Sequence, residues 1–338
     1  MKISLIFSKY SSKTTIFILL CLSCTLFFIL FPFPVKSASE RNKIEELLFE
    51  NSHFMMIEEV ELHYRIWQPT DYPPTGNILL LHGLGGSTFS WRSAAPYLAE
   101  SGYLVLAVDL PGFGLSQRKP AVKQSHENRA NLVWSLLENL DITGSWHLVG
   151  HSMGGGVVTA MALQRPFDTE TLTLVNGSIG SGGRRIFSIL FQFSLVRNFS
   201  GRVIERFFLT RKRIKSFLTS AYGRKPTPEE VDGYYQPLKL EDTYLTLTGL
   251  LRRYQSDVDL AKRVLEINIP TLCLWGKEDE WVSVSEGEEL TEKIPDARLV
   301  IIDEAKHCPM ETHPELFSEN LIDFLSGIKI FETIVLVH

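Results

Sequence analysis

From Phe54 onward, apolar residues come in short dense runs, separated by stretches in which they recur at every third or fourth position. Continuous apolar runs of four or five residues suit strands covered on both faces, and the wider spacing suits the helices that cover them. The runs 78–81 (ILLL), 104–108 (LVLAV), 146–149 (WHLV), 172–175 (LTLV), 271–275 (TLCLW) and 299–302 (LVII) are the expected inner strands. The segment 61–67 (ELHYRIW) alternates instead, which predicts an outer antiparallel strand. Leu132, Val133, Leu136, Leu137 and Leu140 mark one helix, and Leu316, Leu321 and Leu325 another. Strand and helix in alternation predict an α/β fold, a mostly parallel sheet with helices on both faces.

One interval breaks this rhythm. After Asn176-Gly177-Ser178 no convincing buried run returns until Ile269-Pro270, so a helical insertion, read as a lid, is expected over 178–268. It would divide the core into 39–177 and 269–338. Within it Phe187, Leu190, Phe191 and Leu195 share a helical face, as do Ile214, Phe217, Leu218 and Ala221. The stretch 184–225 holds eleven basic residues and one acid, Glu205, for a formal charge of +10 in a chain whose net charge is −5. With Phe199, Phe207, Phe208 and Phe217 interleaved, it suits either an anionic membrane surface or a solvated basic face over an aromatic core.

The 22 residues 14–35 (TTIFILLCLSCTLFFILFPFPV) carry no charge, long enough at 1.5 Å per residue to cross a hydrocarbon core of about 30 Å. Lys2, Lys9 and Lys13 precede this run without a nearby acid, whereas Lys36, Arg41 and Lys43 mix with Glu40, Glu45 and Glu46 beyond it. The N-terminus is therefore expected in the cytoplasm and the remainder exported. Residues 1–38 read as an uncleaved membrane anchor or a cleaved signal, the latter leaving a secreted or periplasmic protein. Mild acidity and the lack of a recognition motif exclude a nucleic-acid partner. Of four cysteines, Cys21 and Cys24 fall in the apolar run, while Cys273 and Cys308 lack metal-ligand spacing and could pair only in an oxidising compartment. No metal or cofactor is called for.

The candidate chemistry starts at Gly150-His151-Ser152-Met153-Gly154, a G-x-S-x-G between an apolar run and a helix-competent segment. A serine hydroxyl becomes a useful nucleophile when held clear of its neighbours beside a base, and a strand-to-helix turn gives that exposure. Upstream, the 82–87 loop (HGLGGS) follows the 78–81 run; its flexible backbone and the new helix offer the amides of Leu84 and Met153 as donors to a developing oxyanion. Downstream, Asp279 follows one strand and His307 the next, giving the order Ser152, Asp279, His307 with His307 as base and Asp279 as its orienting carboxylate. Glu278 and Glu280 compete as acids; His82, His126, His151 and His313 compete as histidines.

These stretches together resemble the α/β-hydrolase fold serine hydrolases: 82–87 (HGLGGS), 109–116 (DLPGFGLS), 150–155 (GHSMGG), 275–282 (WGKEDEWV) and 306–315 (KHCPMETHPE). The similarity covers roughly 54–326. Two departures touch loop geometry: Ser283 stands where relatives commonly have a proline, and Lys306 where they have a glycine. A serine at the elbow separates the chain from the haloalkane dehalogenases and epoxide hydrolases that use aspartate there. The resemblance implies hydrolysis of a small-molecule carboxylic ester, and the anchor and lid tilt this toward a lipophilic acyl ester. A thioesterase, a C–C bond hydrolase or a non-catalytic ligand-binding homologue remain the alternatives.

Overall fold

The structure, a computed structural model, describes residues 40–69, 73–119, 122–179, 209–250, 254–327 and 335–337. The chain divides into two compact units, Met1–Lys43 and Ile44–His338, and all the elements named below belong to the second. Among the described residues nine strands form one sheet in the order β1-β2-β4-β3-β5-β6-β7-β8-β9. They are β1 (Ser52–Ile57), β2 (Val60–Trp67), β3 (Asn77–Leu81), β4 (Leu104–Val108), β5 (Trp146–His151), β6 (Thr169–Val175), β7 (Thr271–Gly276), β8 (Ala297–Ile302) and β9 (Val335–Val337).

The alternating 61–67 segment is antiparallel as expected, but it is not the outermost strand: β1 folds back on it through a tight turn in which Ile57 pairs with Val60. Every other pairing is parallel. The strands β3, β4, β5 and β7 are buried along their whole length because both faces are covered. Leu79 and Leu81 enter one apolar cluster with Val157 and Met161, while Ile78 and Leu80 enter a second with Trp91, Phe317 and Leu321. Period-two alternation splits a continuous apolar run between two cores.

The covering helices are α1 (Ala94–Glu100), α2 (His126–Asn139) and α3 (Met153–Gln164), then α4 (Arg211–Tyr222), α5 (Pro228–Tyr235), α6 (Thr243–Leu250) and α7 (Tyr254–Arg263) in the interval between β6 and β7. After β7 come α8 (Val284–Lys293), α9 (Pro309–Thr312) and α10 (Pro314–Leu325). In α5, Thr227 and Glu230 close a reciprocal capping box and Pro228 opens the first turn. The interval 178–268 is thus helical where described; Phe187, Leu190, Phe191 and Leu195, with Arg184, Arg185, Arg197, Arg202 and Arg206, lie outside the described residues.

Because β3, β5, β6, β7 and β8 run parallel, their C-terminal ends meet at one rim, with Leu81 opposite Gly150, His151 opposite Val175, and Gly276 opposite Ile302. Open α/β sheets bind ligands at this edge. Among the described residues no helix is long and apolar enough to cross a membrane, and the expected span 14–35 lies outside them. Cys273 and Cys308 are both buried and free, so the disulfide left open by the sequence does not form here.

Candidate active site

Ser152 sits between the end of β5 and the start of α3 with φ 50° and ψ −117°, a backbone region that a residue with a Cβ occupies only under strain. Hydrogen bonds hold it there. Its amide donates to the Val175 carbonyl at 3.0 Å, and its own carbonyl accepts from Gly155 and Ser178, both at 2.9 Å. The glycines answer to close approach: a Cβ on Gly154 would stand 2.4 Å from the Leu81 carbonyl oxygen, and one on Gly150 would stand 2.4 Å from the Gly154 oxygen. The start of α3 can therefore press onto the end of β3 only if residue 154 has no side chain.

Asp279 and His307, on the loops after β7 and β8, meet directly: His307 Nδ1 lies 2.7 Å from Asp279 Oδ2. The same carboxylate accepts from Asn176 Nδ2 at 2.6 Å, from the Trp281 amide at 2.7 Å and from the Val282 amide at 3.2 Å. Burial pushes the Asp279 carboxyl up, but the His307 bond and these further donors outweigh it and hold it below the usual aspartate range. An ionised Asp279 keeps the proton of His307 on Nδ1 and leaves Nε2 to act. Of the competing acids, Glu280 instead pairs with Lys306 Nζ at 2.9 Å.

The His307 ring lies between two others, each with its centroid 4.8 Å away: Trp281 and His151. His151 Nε2 donates to the His307 carbonyl at 2.8 Å. Burial, reinforced by His307, pushes His151 down to about 3, so it is a neutral strut at ordinary pH. His82 is also tied to backbone, with Nδ1 2.7 Å from the Gly83 carbonyl and Nε2 accepting from the Leu110 amide at 2.9 Å. Both its nitrogens are engaged and the ring is fully buried, which leaves it ordering the loop.

The 83–86 backbone passes against the elbow: a Cβ on Gly83 would stand 2.9 Å from His151 Nδ1 and 3.1 Å from Ser152 Cβ. This brings Leu84 to the same wall as Ser152. Met153 is the first residue of α3, whose leading amides have no intrahelical acceptor. The two residues predicted as amide donors therefore flank the serine. Ser152 and His307 line one cavity of about 160 Å³ with Leu84, Phe217, Trp281 and Tyr234; they share no direct hydrogen bond among the described residues. Such bonds commonly tighten only when substrate arrives.

Sequence reasoning missed Asn176 and Trp281. Asn176 bridges strands, donating to Asp279 while accepting from the Gly276 amide at 3.3 Å. Trp281 contributes its amide to Asp279, its ring to His307 and Phe217, and its Nε1 to Ser220 Oγ at 3.1 Å. The only sequence signal for Asn176 was its position just past an apolar strand, and for Trp281 its place in the 275–282 stretch. Among the described residues no group of three or more potential ligands could hold a metal.

A family profile described as alpha/beta hydrolase fold matches residues 76–314. The chain belongs to the α/β-hydrolase family. Consistent with that, it is 30% identical over 270 residues to the uncharacterized hydrolase YugF of Bacillus subtilis (strain 168), covering 80% of this chain and 96% of that one. It is 25% identical over 293 residues to a 2-hydroxy-6-oxononadienedioate/2-hydroxy-6-oxononatrienedioate hydrolase of Cupriavidus pinatubonensis (strain JMP 134 / LMG 1197), covering 82% and 96%. Among solved structures, a membrane phospholipase A aligns with TM-score 0.68 at 24% identity over 95% of this chain and all of that one, a likeness of fold. The α/β-hydrolase expectation thus holds, and the chain is a hydrolase of that family.

Proposed function

We propose that this hydrolase cleaves uncharged, lipophilic carboxylic esters through an acyl intermediate on Ser152. His307 Nε2 takes the Ser152 proton as Oγ attacks the ester carbonyl carbon, and the amides of Leu84 and Met153 receive the oxyanion. Collapse breaks the bond to the alcohol, which leaves with the proton from His307. Water, deprotonated by His307, then attacks the acyl carbon, and the acid departs as Ser152 regains its proton. Asp279 holds the tautomer throughout and stabilises the imidazolium.

The observation that carries this reading is the meeting of a strained elbow serine and a buried histidine–aspartate pair at one largely apolar cavity. Leu84, Phe217 and Trp281 are exposed at its edge, which suits a lipophilic ligand. We read α4 and α5 as part of a lid over this cavity, and 14–35 as an anchor or signal that places the enzyme at or beyond a membrane. A labelled fluorophosphonate should modify Ser152 in the folded full-length protein, and p-nitrophenyl esters should turn over with rising kcat/KM as the acyl chain lengthens. Absence of labelling, or no turnover of any ester, would overturn the proposal.

A second reading, hydrolysis of a C–C bond with the same three residues, is favoured by relatives named for a 2-hydroxy-6-oxo dioate. Dioates carry two carboxylates, and a carboxylate leaves water at high cost unless a cation receives it. Among the described cavity-lining residues there is no lysine or arginine. What favours the neutral ester is the apolar surface that Leu84, Phe217, Leu218 and Trp281 give the cavity.

A further inference from the structure

We propose that Ser90 and Tyr234 form a polar subsite in the cavity wall that accepts a hydrogen bond from a hydroxyl group on the substrate, so that the preferred ester is neutral and hydroxyl-bearing. This rests on the ester-hydrolase reading above and narrows its substrate class.

Glu311 on α9 has a side chain with no exposure and is paired with the Arg92 guanidinium. Its Oε2 accepts from Tyr222 Oη at 2.7 Å and its Oε1 from Tyr234 Oη at 2.5 Å. Burial and the neighbouring Glu311 charge push both tyrosine hydroxyls upward, so both keep their protons and donate them to Glu311. The Tyr234 oxygen is then left as an acceptor. Ser90 Oγ lies 2.9 Å from it and is the donor in that bond, since the Tyr234 proton is already committed. Ser90 has consequently spent its one proton, and what remains on its oxygen is lone-pair capacity.

Ser90 and Tyr234 both line the cavity that holds Ser152, and both are more than nine-tenths buried. Ser90 also stands beside the loop that carries Leu84: a Cβ on Gly86 would meet its Oγ at 3.0 Å. The subsite therefore lies beside the 83–86 loop, in the same cavity as Ser152. An acceptor-only pair in an apolar wall rewards a hydroxyl, gives nothing to a methyl, and repels a carboxylate or a bare ether oxygen. Arg92 does not counter this, because it lies behind Glu311 and outside the cavity lining.

The test uses two sets of esters, one varying the acyl chain and one the alcohol, each with hydroxyl, methyl, methoxy or carboxylate at the same position. The full chain, Ser90→Ala and Tyr234→Phe are compared by kcat/KM, with thermal melts confirming that each variant is folded. In one of the two sets the wild type should favour hydroxyl over methyl by about tenfold, with carboxylate poorest, and the responding set assigns the hydroxyl to the acyl or alcohol side. Ser90→Ala should bring the hydroxyl-to-methyl ratio to within about twofold of one. Tyr234→Phe returns a free proton to Ser90 and should raise the methoxy-to-methyl ratio. Equal turnover of hydroxyl and methyl esters by the wild type, or a ratio unmoved by Ser90→Ala, would overturn the subsite. If no ester in either set reacts, the ester-hydrolase reading itself fails. Should Tyr234→Phe not fold, Ser90→Ala decides the matter alone.

Discussion

Two histidine–aspartate pairs among the described residues share the same 2.7 Å bond from Nδ1 to Oδ2, and they stand in different surroundings. Around His63 the relay is complete by distance, since Nε2 lies 2.9 Å from Ser52 Oγ. Around His307 it stops short of the serine. Yet His63 and Asp109 are sealed from solvent, and neither they nor Ser52 line the cavity. Ser52 lies in the strand β1 with its oxygen already accepting the Phe49 amide at 3.0 Å. Asp109 is a knot for its own loop, taking the amides of Thr88 at 2.5 Å and Leu115 at 2.7 Å. A chain of three residue types at hydrogen-bond distance is thus no reaction centre. The His307 region differs in having a serine on a strained turn and a cavity beside it with room for a substrate.

The sharpest way to break this contrast is at the cavity serine and at the carboxylate bonded to its neighbouring histidine. Ser152→Ala should lower kcat/KM by about 10⁴- to 10⁶-fold with little change in thermal stability, read by ester hydrolysis and calorimetry. Asp279→Asn should follow with a loss of about 10³- to 10⁴-fold in kcat, because the amide favours the wrong histidine tautomer. Residual rates near wild type for either variant would transfer the chemistry elsewhere.

In the sealed pair the corresponding change should act on folding. Asp109→Asn weakens the acceptor shared by the buried His63 ring and the Thr88 and Leu115 amides and should cost about 1–3 kcal/mol in denaturant unfolding, with kcat altered little in the molecules that remain folded. Burial pushes the Asp109 carboxyl up, but the adjacent His63 outweighs it and holds it below its ordinary value. A carboxyl whose folded value lies below its unfolded value of about 3.9 stabilises fully above that pH, and the contribution is lost as pH falls through the folded value. The stability gap between wild type and Asp109→Asn should therefore be widest near neutrality and close below about pH 4. A gap independent of pH would mean that the charge of Asp109 is not what stabilises the loop.

The parts that were legible in the sequence are those where sterics leave a mark on residue type. Buried strands must be apolar throughout, and the elbow must carry glycine where a Cβ would meet the Leu81 carbonyl. The outer strand β1 was not legible, because its half-exposed edge imposes no such pattern. Asn176 was invisible for another reason: its partner Asp279 lies 103 positions away, and an asparagine after a strand reads as an ordinary turn. Its effect should be intermediate. With the Trp281 and Val282 amides still holding the carboxylate, Asn176→Ala should lower kcat about tenfold and move the acid limb of the rate profile, while KM stays nearly constant. A loss confined to stability would reduce Asn176 to a brace between strands.

The smallest effect is the most searching for the comparison, because it falls on the residue that distance alone would choose. Ser52→Ala removes one hydroxyl from a partly exposed strand and breaks its bonds to His63 and Phe49. His63 keeps its bond to Asp109, so about 1 kcal/mol of stability should be lost, measured by denaturant unfolding. Ester kcat/KM should change by less than twofold, and fluorophosphonate should still label Ser152 to the same extent. Ser52 lacks a cavity for an acyl group, and its oxygen is occupied by a backbone amide. Labelling at residue 52 in wild type, or a rate loss on its removal, would show that a hydrogen-bonded relay suffices for reactivity without the elbow and the cavity.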